Sequence, residues 1–347
     1  MYYKISICGH FGGENQCYDG QTVKTQNIYE ALKAYYGETE INKLDTYQWK
    51  KRPIVFLVRC IEAMKHSKNI IILPANNGVK VFVPLFTFFK KFFDTKIFYI
   101  VIGGWLPELL KEKKSLKKKI LKLDRIFVET NNMKEKLEKQ NIHNIDILVN
   151  FKNINIINEK DIKLELKVPY KLCTFSRIIK EKGIEDAIRV VDRLNENENN
   201  IKYNLDIYGE ISPSYKAEFE KILTNTKDYI KYNGTVASKE STKIIKNYDL
   251  LLFPTYYEGE GMAGTIIDAM FSGVPVIASN WKYNKEVIKN EYNGILYPVK
   301  NNDLFSEAIE SVINNKNIFF EMKKNCINEA KKYTPENALK PLYSLIK

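Results

Sequence analysis

Glu260 and Asp268 stand eight positions apart in LLFPTYYEGEGMAGTIIDAMFSGVPVIAS, which runs from Leu251 to Ser279. The stretch reads as a buried strand, a loop bearing Gly259, Gly261 and Gly264, a short helix over Thr265–Phe271, and a second buried strand. Glycines let a backbone approach a ligand with no Cβ in the way. The helix that follows offers unpaired N–H groups and the positive end of its dipole, which suits a phosphate. Two carboxylates beside an anion site make electrostatic sense when they bind hydroxyls. A sugar nucleotide supplies hydroxyls and phosphates together. Upstream, FSRIIKEKG places Arg177 and Lys182 just after a strand and before a helix. Fixed cations there would stabilise charge that develops on a departing diphosphate. Arg forks onto two oxygens and Lys adds a point charge.

EGMAGTIID resembles the Glu-x7-Glu signature of the retaining glycosyltransferases of family 4, with Asp268 in place of the second Glu, and AMFSGVPVIAS resembles its continuation. FSRIIKEKG is similar to that family's Arg-x4-Lys-Gly diphosphate clamp. The resemblance covers residues 170 to 300 well and the first half loosely. It implies Glu260 on the donor sugar, Arg177 and Lys182 on the diphosphate, and Asp268 on the ribose hydroxyls. The backbone of Met262, Ala263, Gly264 and Thr265 would then hold the distal phosphate. Asp is one methylene shorter than Glu, so the backbone comes closer or a water intervenes. Glu258 is a rival carboxylate, but its spacing of ten to Asp268 is off the motif. The loop Gly234–Val236 resembles the family's nucleobase pocket. Val236 and its neighbours would read the base by backbone, with a UDP-sugar the first expectation and a GDP-sugar the second.

Gly12 and Gly13 follow the first strand and resemble the family's Gly-Gly loop against donor diphosphate and acceptor. Polar Asp19 to Thr22 read as a cap for the next helix. His10 is open to two readings, contact with a substrate or a purely structural place in the loop. Where the family often carries a His, IVIGGWLPE has Gly103 and Gly104. That departure leaves no side-chain base, and a retaining route lets a phosphate oxygen take the acceptor proton. Gly103 and Gly104 would offer backbone contact to a sugar, and Trp105 either a stacking face or a core side chain. No Asp-x-Asp stands at the strand end, so no metal and no other cofactor is expected. The nucleotide sugar is a co-substrate.

These loops need strands and helices to hold them, and strand and helix signals alternate throughout, which argues for parallel sheets covered by helices. Short buried strands are expected at Ile5–Cys8, Ile54–Val58, Ile70–Leu73, Ile97–Ile102 and Arg125–Val128, then at Leu172–Ser176, Asn204–Tyr208, Tyr229–Tyr232, Leu250–Phe253 and Val274–Ala278. Helices are expected at Thr22–Tyr36, Asn132–Gln140, Gly183–Asn195 and Pro213–Thr224, with Asn150–Lys171 as a linker. At 347 residues the chain suggests two domains. The expected fold class is α/β, two doubly wound Rossmann-like domains facing a cleft. The resemblance implies the GT-B arrangement, with residues 1–165 on the acceptor and membrane side, 166–333 binding the nucleotide sugar, and a helix in 334–347 returning to the first domain.

Five scattered cysteines without CxxC spacing argue for reduced thiols and against a zinc site. The opening MYYKISICGHFGG has too short an apolar run for a signal peptide, and Val81–Phe89 is broken by Pro84 and stopped by Lys90 and Lys91, so no membrane span is expected. The net charge of +12 is uneven: residues 1–150 hold 25 Lys/Arg against 15 Asp/Glu, the remainder 29 against 27. A Lys-rich bias would raise both halves alike, so the first half is expected to meet an acidic partner. Lys111–Lys122 holds seven Lys and one Glu, and Leu109, Leu116, Ile120 and Leu123 would line one face. Such a basic amphipathic helix lies on anionic lipid, or packs on its own sheet with a solvated Lys face. No nucleic-acid motif accompanies the charge, and nothing indicates an oligomeric state.

The expectation is a metal-independent, retaining hexosyltransferase, cytoplasmic and peripheral on the inner membrane face. It would move a sugar to a saccharide or lipid-linked oligosaccharide in bacterial capsule, O-antigen or other surface glycan synthesis. Two rivals are a sugar-nucleotide 2-epimerase on the same fold and a non-enzymatic basic protein that binds membrane or nucleic acid. The first needs acid/base carboxylates and histidines in the cleft, and the whole chain has only three histidines. The second leaves Arg177, Lys182 and Glu260 without purpose.

Overall fold

The computed structural model describes residues 2–13, 20–196 and 201–346. Residues 14–19, with Cys17 and Asp19 among them, lie outside the described residues. The chain divides into two compact units, one of residues 1–153 with 334–347 and the other of residues 154–333. Each holds a six-stranded, wholly parallel sheet.

In the first unit β1 (Tyr3–Gly9), β2 (Ile41–Asp45), β3 (Ser67–Leu73), β4 (Lys96–Ile100), β5 (Arg125–Val128) and β6 (Ile145–Ile147) line up as β2-β1-β3-β4-β5-β6. The order reverses direction between β1 and β3, and the loops leaving the carboxyl ends of strands at such a point are where ligands bind in open α/β sheets. The loop after β1 carries His10–Gly13. The end of the chain forms two short helices, Pro335–Ala338 and Lys340–Tyr343, rather than one. Ala338, Leu339, Leu342 and Ile346 pack into the core of this unit with Ile5, Ile7 and Ile28.

In the second unit β7 (Tyr170–Phe175), β8 (Tyr203–Tyr208), β9 (Ile230–Tyr232), β10 (Leu250–Phe253), β11 (Val276–Ser279) and β12 (Gly294–Tyr297) line up as β12-β11-β10-β7-β8-β9. Counted within the unit this is the doubly wound order 3-2-1-4-5-6, with its switch point between β7 and β10. Every side chain of β10 and β11 is buried, as expected for strands covered by helices on both faces.

Two further expectations need correction. Ile54–Val58 is no strand but the start of a helix, Pro53–His66. An unbroken apolar run has no period to separate the two, and here only Phe56 of the five is buried. The basic helix over Lys111–Lys122 is two short helices, Leu106–Glu112 and Lys114–Ile120, parted at Lys113. Of its proposed apolar stripe, Leu116, Ile120 and Leu123 are buried, so the stripe serves the protein core and leaves a solvated lysine face.

Beneath the second sheet, helix Lys316–Ala330 buries Lys323 over the ring of Phe319, 5.0 Å away. Burial pulls its ammonium down to about 8, against the neighbouring Asp249 charge, which favours the cation. The unfolded lysine keeps its proton to 10.5, so between those values the unfolded chain binds more protons and stability rises with pH. Urea unfolding should therefore show stability gained between about pH 8 and 9.5, at up to ~1.4 kcal/mol per pH unit. Lys323→Met should flatten that rise; an unchanged slope would contradict the assignment.

Candidate functional site

In the second unit both sequence motifs emerge at the switch point. The loop after β7 carries Arg177 and a 3-10 turn, Lys180–Lys182, before helix Ile184–Glu196. Two glycines force it into place. Gly209 has φ +146, and a Cβ there would lie 1.7 Å from the Ser176 carbonyl oxygen. Gly183 has φ +70, and its Cβ would meet the Pro254 carbonyl oxygen at 2.3 Å. The clamp loop is thus pressed against the exits of β8 and β10, where only glycine fits.

That pressure brings the two motifs together. Lys182 Nζ lies 2.6 Å from Glu260 Oε2, with side chains 11% and 9% exposed. Thr255 donates its hydroxyl to the same carboxylate oxygen at 2.9 Å. Lys182 also stands 5.3 Å from the ring centre of Phe253 and 5.4 Å from that of Tyr257, favourable faces for a cation. Arg177 is exposed, and its guanidinium carbon is 5.6 Å from the Tyr257 ring centre. Tyr257 is held by its carbonyl, which accepts from the Trp281 indole at 2.8 Å and from the Glu260 amide at 3.1 Å. Glu258, the rival carboxylate, is exposed and pairs instead with Lys282.

Past the loop, Met262 and Ala263 are buried and helix Gly264–Phe271 begins. Its N-cap, Ala263, gives no side-chain hydrogen bond, so the first-turn N–H groups are not capped from that position. Thr265 donates its hydroxyl to the Phe175 carbonyl at 2.7 Å, which fixes the helix start beside the end of β7. Asp268 lies inside the helix and is 5% exposed. On the other flank, Gly209 donates its amide to the Gly234 carbonyl at 2.9 Å, which brings the Gly234–Val236 loop beside the end of β8.

In the first unit, Gly12 and Gly13 adopt positive φ, and a Cβ on Gly13 would strike the Tyr47 ring at 2.2 Å. His10 is occupied structurally: its Nδ1 is 2.7 Å from the Thr22 hydroxyl and its ring meets Tyr47 edge-on. Gly103 also has positive φ, and the Trp105 indole donates to the Ile102 carbonyl at 2.7 Å while its ring stays partly exposed.

Sequence reasoning missed Thr255 and the pair Lys24–Glu129. Lys24 Nζ lies 2.5 Å from Glu129 Oε1, both side chains 4% exposed, and donates to the Val101 carbonyl at 2.9 Å. It thereby anchors the start of the Gly103–Trp105 loop. The partners are 105 residues apart, and no local spacing announces them. Burial pushes the thiols of Cys8, Cys60, Cys173 and Cys326 upward, Cys60 and Cys326 to about 12, which leaves them poor nucleophiles. Among the described residues no cluster of three or more His, Cys, Asp or Glu is placed to hold a metal.

Residues 156–333 match the family model described as glycosyl transferases group 1. An uncharacterized glycosyltransferase of Methanocaldococcus jannaschii is 30% identical over 179 residues, 50% of this chain and 45% of that protein. The UDP-Gal:alpha-D-GlcNAc-diphosphoundecaprenol alpha-1,3-galactosyltransferase of Escherichia coli is 35% identical over 86 residues, 25% of this chain and 21% of its own length. The chain thus spans less than half the length of these relatives. Among solved structures, HepE of Anabaena in complex with UDP superposes with a TM-score of 0.77 at 12% identity, over 100% of this chain and 99% of that one. That likeness shows the fold.

The Lys182–Glu260 pair predicts its own energetics. Removing one partner of a buried pair strands the other charge. Lys182→Met should cost roughly 2–4 kcal/mol in urea unfolding, and adding Glu260→Gln should recover at least ~1 kcal/mol of it. Strictly additive losses would show that the two side chains do not share a buried contact.

Proposed function

The chain belongs to the glycosyl transferases group 1 family, and from that premise we propose that it is a retaining glycosyltransferase using a nucleoside-diphosphate sugar. The observation that carries this reading is the meeting of the two motifs at the β7/β10 switch point, with Lys182 on Glu260 and the helix start Gly264–Thr265 beside β7. One edge of one sheet then presents cations, a helix N-terminus and a buried carboxylate, which matches phosphates and sugar hydroxyls in the same molecule.

In this reading the N–H groups of Met262, Ala263, Gly264 and Thr265 hold the distal phosphate and Arg177 forks onto the diphosphate. An ammonium has three N–H donors, so Lys182 keeps one on Glu260 while another turns to a phosphate oxygen. Glu260, oriented by Lys182 and Thr255, accepts from hydroxyls of the donor sugar. Asp268 serves the ribose and the backbone at Val236 the base. As the bond to the diphosphate breaks, negative charge grows on the leaving oxygens, and Arg177 and Lys182 stabilise that charge more than the ground state. The acceptor hydroxyl gives its proton to a departing phosphate oxygen, so no metal and no protein base is required. The names of relatives that bind UDP or use UDP-galactose favour a UDP-sugar donor over a GDP-sugar. The acceptor is assigned to the first unit, at Gly12, Gly13 and Gly103–Trp105, and is a saccharide or lipid-linked oligosaccharide of a surface glycan at the cytoplasmic face of a membrane.

A thermal-shift series with UDP, GDP, ADP and CMP tests the donor. The correct nucleotide at 100 times its Kd should stabilise by about 2.7 kcal/mol, and no response to any of the four would sink the reading. Arg177→Ala should lower kcat by on the order of 10² with the fold intact. Glu260→Ala should abolish transfer, Asp268→Glu should be tolerated, and Asp268→Ala should chiefly weaken nucleotide binding. Tight UDP binding by Asp268→Ala would remove the ribose role. Transfer should persist in EDTA; loss restored by added Mg²⁺ would require a metal.

A further inference from the structure

The helix Pro53–His66 turns Phe56, Cys60, Ala63 and Met64 inward, the spacing of one helical face. Its other face should then be polar, and beyond Arg59 it is, with Glu62 and Lys65 exposed. The first two turns break that rule. Ile54, Val55, Leu57 and Val58 are 76%, 56%, 38% and 49% exposed, four large aliphatic side chains within five residues. Scattered exposed apolar residues need no explanation, but a contiguous set marks an interaction surface.

The charges around the set identify the partner. Residues 50–59, KKRPIVFLVR, contain Lys50, Lys51, Arg52 and Arg59 and no acid, within a half-chain whose excess is positive. All four cations are exposed. Cores of protein–protein interfaces are depleted in charge and rich in aromatic residues. Here the exposed apolar side chains are all aliphatic and the cations stand directly beside them. That combination fits the boundary of an anionic bilayer, where aliphatic groups enter the acyl region and Lys and Arg meet lipid phosphates. No helix among the described residues is long and apolar enough to cross a membrane, so the surface would lie on the bilayer.

Its position in the first unit joins it to the loop after β1. The helix follows β2, so it starts at the carboxyl end of the sheet, the end that carries His10–Gly13. Asp45 accepts from the amides of both Phe11 and Tyr47, at 3.0 and 2.8 Å. Tyr47 packs on His10 and against Gly13, and Trp49 packs on Phe56, 6.1 Å between ring centres. A short run of contacts therefore ties the exposed turns to the loop assigned to the acceptor.

We propose that the first two turns of this helix are a docking surface for an anionic bilayer, with Ile54, Val55, Leu57 and Val58 inserted at the headgroup boundary and Lys50, Lys51, Arg52 and Arg59 on lipid phosphates. The docked unit presents its β1 loop to an acceptor held in that bilayer, a consequence that rests on the transferase reading. The docking itself does not.

Flotation of the whole chain with vesicles tests the docking, using phosphatidylcholine with about a quarter phosphatidylglycerol against phosphatidylcholine alone. The chain should float with the anionic vesicles only. Changing Ile54, Val55, Leu57 and Val58 together to Gln, which keeps helix propensity, should lower that binding at least ~10-fold. Lys50, Lys51 and Arg52 changed to Gln should lower it similarly at low salt. Lys113, Lys114, Lys117, Lys118 and Lys119 changed to Gln should alter it by less than ~3-fold, since their apolar neighbours are buried. The UDP-induced Tm shift of the same samples should stay equal throughout, reading fold and donor site separately from lipid. Wild-type chain that ignores anionic vesicles, or the aliphatic variant binding them undiminished, would overturn the proposal. So would loss of binding in the five-lysine variant alone. A self-association that the aliphatic variant abolishes without any vesicle binding would assign the surface to a second copy instead.

Discussion

The ion pair between Lys182 and Glu260 is the contact on which the site depends. Taking either charge out of water alone would cost several kcal/mol, so each side chain is in place only because the other is. The carboxylate receives a second hydrogen bond from Thr255, and the ammonium faces the rings of Phe253 and Tyr257. A buried pair of this kind adds little net stability. What it does supply is position: two loops 78 residues apart in sequence meet at one point on the sheet edge.

Backbone geometry makes the meeting possible. Gly183 and Gly209 remove the Cβ atoms that would hold the clamp loop away from β10 and β8, and Thr265 fastens the helix start to the end of β7. The doubly wound order then does the rest. Because the order reverses between β7 and β10, the switch point lies between these two strands, and their loops meet there at the strand ends. Cations, a helix N-terminus and a carboxylate are gathered at that point, the chemistry on which the proposed nucleoside-diphosphate sugar site rests.

Much of this was legible in the chain. Buried runs such as LLLF and the alternation of strand and helix pointed to parallel sheets, although the strands Ile41–Asp45, Ile145–Ile147 and Gly294–Tyr297 were not among those expected. Glu260 and Asp268 stood out by their spacing, and Arg177 and Lys182 by resemblance to the family's clamp. The direct contact between Lys182 and Glu260 was not foreseen, because spacing locates residues on a strand end without saying which side chains touch. Lys24 and Glu129 were invisible for a related reason: a buried pair 105 residues apart has no local signature. The run IVFLV misled differently. A run rich in β-branched residues reads as a buried strand, yet it opens a helix whose first two turns are apolar on both sides. The error came from assuming that every apolar face is satisfied within the chain. The lysines of residues 111–122 misled in the opposite sense, since their apolar neighbours serve the core.

The most direct test of the account is the crystal structure of the chain with UDP. The diphosphate should lie at the start of helix Gly264–Phe271, within hydrogen-bond reach of the amides of Ala263 to Thr265 and of Arg177, with Lys182 bridging to Glu260. UDP bound elsewhere on the second unit, with those amides and Arg177 facing only solvent, would contradict it.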